Sequence, residues 1–105
     1  MSQFNQKVYE LLMKVPAGRI TTYKVIAETL GTKAYRAVGN ALKNNPDAPR
    51  IPCHRVIKSS GNIGGFNGET NGKEIQQKIY LLKKEGIKIE EGQIQNLPDV
   101  LFYFS

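Results

Sequence analysis

Apolar residues in the first fifteen positions recur at helical spacing. Phe4, Val8, Leu11, Leu12 and Val15 share one face, which predicts an amphipathic helix over about 3–14 that stops before Pro16. PAGR then reads as a turn. Thr22 has the side chain of a helix N-cap, and Tyr23, Ile26, Ala27 and Leu30 share a face of a second helix ended by Gly31. A third helix is expected over about 33–44, with two distinct faces. Ala34, Val38, Ala41 and Leu42 form a stripe for the core, while Arg36, Gly39, Asn40 and Lys43 form the opposite stripe. A mid-helix glycine costs about 1 kcal/mol relative to alanine. Set between an arginine and a lysine on the outer face, Gly39 leaves room for another molecule to come close. Two short helices joined by a tight turn containing glycine make a helix-turn-helix, whose second helix docks on DNA. Helix pairs packed inside cores show the same pattern, so the two uses stay open on spacing alone.

The pattern changes after residue 44. NNPDAP is a turn, RIPCHRVI is rich in β-formers but broken by Pro52, and SSGNIGGFNG is a glycine-rich hairpin or wing. Ile75, Ile79 and Leu82 mark a last helix over about 72–85, closed by Gly86. The remaining segment ends in an apolar cluster, Val100–Phe104, expected as a strand or extended stretch docked on the core. The fold class is therefore mainly α with short β elements, a winged helix-turn-helix-like single domain spanning residues 1–105.

Charge sharpens this picture. The net charge is +6, and ten of the 15 Lys/Arg fall in residues 1–60 against three of the nine Asp/Glu. A basic first half points to a polyanion, nucleic acid first, or else to a solvated basic face. No apolar run approaches the roughly 20 residues of a membrane span, and the N-terminus lacks a signal-peptide core. One cysteine excludes an internal disulfide, and a free thiol fits a reducing compartment. The expectation is a cytoplasmic protein, near the nucleoid or in a nucleus, and monomeric.

Cys53 and His54 are the chain's lone cysteine and lone histidine, and they are adjacent. A lone cysteine can be a small buried hydrophobe, and one Cys with one His is too few for a metal site. On a regular strand the two side chains would point to opposite faces. Pro52 favours a turn instead, where the histidine can act on the thiol directly or through one water.

PCHRV, preceded by RAVGNALKNNP and followed by SSGNIGGFNG, resembles the C-terminal domain of the O6-alkylguanine-DNA alkyltransferases. The likeness runs from VPAGRITTY through KKEG, in the family's order and with nearly its spacing. It implies a suicide transferase without cofactor or metal, which flips an O6-alkylguanine out of double-stranded DNA and takes the alkyl group onto Cys53. By the same resemblance His54 is the base acting through a water, Glu85 orients it, Asn45 buttresses the turn, and Lys78 is the active-site lysine. Tyr23 helps rotate the nucleotide and protonate the leaving base. Arg36 is the arginine finger that replaces the extruded base. The DNA-facing set is Thr22, Tyr23, Arg36, Ala37, Gly39, Asn40, Lys43 and Arg55, and the lesion pocket is lined by Leu42, Val56 and the wing residues Gly65, Phe66, Asn67 and Gly68.

Some features depart from the family pattern. Its usual N-terminal domain has no counterpart here, and about five extra residues around ETNGK precede the last helix. Phe66 and Asn67 stand where many members have tyrosine and serine. The short form and the extended tail resemble alkyltransferase-like proteins, non-catalytic binders of alkylated DNA that carry tryptophan at the cysteine position. Position 53 separates the two classes, and here it is cysteine. A plain helix-turn-helix regulator would leave Cys53, His54 and Glu85 without a role.

Overall fold

The computed structural model describes residues 3–63 and 72–104. The wing positions Gly65, Phe66, Asn67 and Gly68 lie outside the described residues. Helix α1 (Gln3–Leu12) ends one turn before Pro16 and buries Val8, Tyr9, Leu11 and Leu12. Strand β1 (Thr21–Thr22) leads directly into α2 (Tyr23–Thr29), where the Thr22 hydroxyl accepts from the Val25 N–H at 3.0 Å as the expected cap. Helix α3 (Tyr35–Lys43) buries Val38, Ala41 and Leu42 against α1 and α2. The Tyr9 hydroxyl donates to the Ala41 carbonyl at 2.7 Å and ties α3 to α1.

Ala34 was expected in the core stripe and is exposed. The helix begins one residue later, and the Ala34 N–H turns back to the Thr32 hydroxyl at 3.1 Å. That turn carries its methyl away from the face Val38 and Ala41 share.

A 3-10 turn (Cys53–Arg55) runs into β2 (Val56–Ile57), which pairs in parallel with β1, Thr21 opposite Val56 and Thr22 opposite Ile57. This pairing brings the start of the helix-turn-helix beside the cysteine segment. Helix α4 (Lys73–Lys84) follows, and Gly86 ends it at φ 92, a left-handed conformation that glycine adopts without steric cost.

Two apolar clusters support these elements. One joins α1, α2 and α3 to Cys53 and Val56. The other gathers Ile20, Ile57, Leu82, Ile87, Ile89, Ile94 and Val100. The stretch around Val100–Phe104 is extended and docked on Ile20 as expected, and it is preceded by elements that periodicity left unassigned. Strands β3 (Ile89–Glu90) and β4 (Gln93–Ile94) form a hairpin whose corner, Glu91 and Gly92, has positive φ at both residues, as a type I′ turn requires. Helix α5 (Leu97–Val100) is a single turn opened by Pro98, whose fixed φ suits a first helical turn. Only then does the chain extend, with Leu101 bridging to Ile20. Arg19 holds it there, donating to the Val100 and Leu101 carbonyls at 3.1 and 2.8 Å and lying over the Phe102 ring.

Candidate active site

Pro52 sets the geometry around the thiol. Its φ of −81 and ψ of 67 are those of an inverse γ-turn, and the Cys53 N–H donates to the Ile51 carbonyl at 2.8 Å. The Asn45 amide donates to the same carbonyl at 2.8 Å, while its side-chain oxygen accepts from the Asp47 N–H at 2.9 Å. Asn45 therefore clamps the turn after α3 to the turn that carries Cys53. The following 3-10 turn has three residues per turn, so successive side chains diverge by about 120° rather than by the 180° of a strand. Cys53 and His54 can thus serve one site, which strand geometry would forbid.

Cys53 and His54 are 3% and 2% exposed. Burial pushes the thiol's pKa up; the Asn45 side chain, the charge of Lys78 and a backbone N–H oppose that rise. Those three groups are what would hold a thiolate. His54 Nε2 lies 3.0 Å from Glu85 Oε2. An ionised carboxylate only accepts, so Nε2 carries the proton and Nδ1 keeps its lone pair. That Nδ1 is buried and has no hydrogen-bond partner among the described residues. Burial lowers the His54 pKa, Glu85 works against this, and Arg55 and Lys78 add to it, so the ring is a neutral base.

Glu85 sits at the C-cap of α4, an unfavourable end of the helix dipole for an anion. Arg55 compensates. Its Nε and Nη2 donate to the two Glu85 oxygens at 2.9 and 2.6 Å, and its Nη1 donates to the Val15 carbonyl at 2.7 Å. Burial raises the Glu85 pKa, but the bonds from Arg55 and His54 outweigh it and hold the carboxyl below its ordinary value. Arg55, expected among the DNA contacts, is part-buried and fixes the carboxylate that orients His54.

Lys78 is 1% exposed, and Nζ donates to the Val56 carbonyl at 2.7 Å and to the Ile63 carbonyl. Burial lowers its pKa to about 7, with the Cys53 charge acting in the opposite sense. Tyr23, the first residue of α2, is half-buried, and its hydroxyl pKa is raised by burial and then by the charge of Cys53. Its ring packs against the apolar cluster that contains Cys53.

The residues expected to face DNA separate into two groups. Arg36, Asn40 and Lys43 are exposed along α3, with Ala37 and Gly39 half-buried beside them. A Cβ placed on Gly39 would meet nothing within 4 Å among the described residues. Packing inside the protein thus gives no reason for that glycine, and close approach from outside remains as one. Thr22 is 3% exposed and occupied with its cap, so it lies behind this surface. Leu42 and Val56 are buried in the cluster that contains Cys53. Sequence reasoning missed Tyr9, which anchors α3, and Arg55 as a clamp. A tyrosine on an otherwise apolar helix face was the available signal for Tyr9. Among the described residues no group of three His, Cys, Asp or Glu could hold a metal ion, and no helix is long and apolar enough to cross a membrane.

The family model for the DNA-binding domain of 6-O-methylguanine DNA methyltransferase matches residues 3–87. A methylated-DNA–protein-cysteine methyltransferase of Saccharolobus islandicus is 47% identical over 88 residues, covering 84% of this chain and 54% of its own. The chain thus spans about half the length of that curated relative. The crystal structure of Mycobacterium tuberculosis OGT in complex with DNA is similar with a TM-score of 0.72 and 40% identity, over 81% of this chain and 50% of that one. Atl1 of S. pombe, in complex with damaged DNA containing O6-carboxymethylguanine, is similar with a TM-score of 0.77 and 32% identity, over 97% of this chain and 96% of that one.

Proposed function

The chain belongs to the 6-O-methylguanine DNA methyltransferase family, and from that premise we propose that it transfers an alkyl group from O6-alkylguanine in double-stranded DNA to its own Cys53. The observation that carries this reading is the buried Nδ1 of His54, which has no partner among the described residues and belongs to the residue after Cys53, on a ring whose other nitrogen is fixed by Glu85. One water between Nδ1 and the thiol completes a path for the proton. The thiolate then attacks the alkyl carbon, the S–C bond forms as the C–O6 bond breaks, and the guanine leaves with the electron pair on O6. Tyr23 supplies the proton that restores the neutral base. The thioether has no route to hydrolysis, so each molecule acts once.

An O6 substituent inside a stacked duplex is out of reach of a buried thiol, so the nucleotide must be extruded. The exposed Arg36 on the Gly39 face of α3 is placed to fill the gap in the stack. Arg36→Ala should slow transfer on duplex DNA at least about tenfold while leaving reaction with the free alkylguanine base unchanged, because the free base needs no wedge. Equal losses on both substrates would make Arg36 a support of the active site instead.

A second reading has its own observation. The likeness to Atl1 takes in nearly the whole of this chain. The share of this chain matched, 97% for Atl1 against 81% for the M. tuberculosis protein, brings the tail after α4 into the Atl1 likeness and supports a protein which binds the lesion and recruits other repair factors. A dealkylation time course decides between them. Transfer predicts a plateau at one repaired lesion per protein molecule; a plateau at zero with tight lesion binding selects the sensor, and multiple turnovers exclude both.

A further inference from the structure

Tyr35 opens α3 immediately before Arg36, is 43% exposed, and joins neither apolar cluster. Its ring walls an open cavity of about 440 Å3 whose other described lining residues are Tyr23, Lys24, Lys58, Ser59 and Ser60. A cavity of this size accepts a ligand of a few rings. Two phenol rings offer flat apolar faces, two lysines offer positive charge, two serines offer hydroxyls, and no carboxylate is among them. Tyr35 also lines a smaller hollow of about 270 Å3, whose lining includes both Glu28 and Lys33. A phosphate is therefore favoured on the Lys24 and Lys58 side. Tyr23 lines this cavity and also packs against the cluster that contains Cys53. A strand whose damaged base reaches Cys53 would cross Tyr23 and meet Tyr35 next.

We propose that this cavity is a second nucleotide subsite, in which the base adjoining the extruded one on the same strand stacks on Tyr35 and its phosphate is held by Lys24 and Lys58. The inference rests on the reading of DNA as the ligand but not on alkyl transfer. It makes Tyr35 a positioning residue: holding the neighbouring nucleotide fixes the direction in which the lesion leaves the stack. Stacking on an aromatic face is indifferent to base identity, which suits a protein that must find lesions in any sequence.

The test is fluorescence anisotropy with an unmodified, labelled single-stranded oligonucleotide, where no duplex has to open and no alkyl group is present. Tyr35→Ala should weaken binding about tenfold, the scale of one lost base–aromatic stack, and Tyr35→Phe should stay within about twofold because the ring face is kept. Lys58→Ala should weaken binding and flatten its dependence on salt by about one phosphate contact. Tyr35 is a member of neither described cluster, so alanine leaves both in place and the variant should fold. Tyr80→Ala removes a more exposed tyrosine, 62% against 43%, outside the described lining of the cavity and should leave affinity unchanged. Wild-type affinity for Tyr35→Ala, or an equal loss for Tyr80→Ala, would overturn the subsite. Because the oligonucleotide carries no lesion, a failure of alkyl transfer leaves this outcome untouched.

Discussion

Cys53→Ser and Cys53→Ala should each abolish alkyl transfer while DNA affinity stays within about twofold, since phosphate contacts dominate affinity and the thiol makes none. Serine presents an oxygen of similar size whose proton the neutral His54 cannot remove to any useful extent, and alanine presents no nucleophile. Cys53 is buried in a packed cluster, so alanine leaves a void costing about 1 kcal/mol, a loss the fold can bear. Transfer assays on O6-methylguanine duplexes, with affinity measured on the same duplexes, separate the two quantities. Residual transfer in either variant would move the reaction to another residue. A parallel loss of binding would mean that Cys53 shapes the DNA surface.

Glu85→Ala should be the most damaging change to stability and the second most damaging to rate. It strands a half-buried Arg55 guanidinium that had two bonds to the carboxylate and leaves His54 Nε2 without its acceptor. Breaking an ion pair of this kind costs about 2–4 kcal/mol, because the remaining charge loses its partner without regaining full hydration. The imidazole also loses the contact that fixes its proton on Nε2, so transfer should slow about a hundredfold or more, the usual share of a positioned base. Glu85→Gln keeps an acceptor and the shape, and should lie between wild type and alanine in both respects. The pH dependence checks the cause. The folded-state pKa of Glu85 is lowered, so its contribution is present above the ordinary carboxylate value near about 4.3 and is lost as pH falls through the lower folded value. Urea denaturation of wild type from neutral to acidic pH should show that loss, and Glu85→Gln should lack it. Indistinguishable acid limbs would remove the ion pair from the explanation.

The helical part of this fold follows from local chemistry. Thr22 caps α2 and Gly86 ends α4 where hydroxyl and glycine demand, and the alternation of Val38, Ala41 and Leu42 with Arg36, Asn40 and Lys43 survives folding intact. The cysteine turn was less legible. RIPCHRVI is β-rich, and what makes its centre a 3-10 turn is the γ-turn at Pro52 together with the Asn45 amide reaching back from the end of α3. Local periodicity carries no trace of that reach. Arg55 shows the same limit, since a cation beside a nucleophile in a basic chain reads as a phosphate ligand. Its true partner lies 30 residues away at the end of another helix. The hairpin at Glu90–Gln93 was in principle readable, because Ile87, Ile89 and Ile94 alternate around it. Its corner is Glu-Gly rather than the commoner Asn-Gly, and helix α5 is too short to have a period at all.

The most direct measurement is the mass of the Cys53 peptide after the protein has been incubated with an excess of DNA containing O6-methylguanine. The account predicts one added methylene equivalent on that peptide, on the cysteine itself, in step with the loss of one lesion per protein molecule. Repaired DNA beside an unmodified Cys53, or a methyl group found on any other residue, would contradict it.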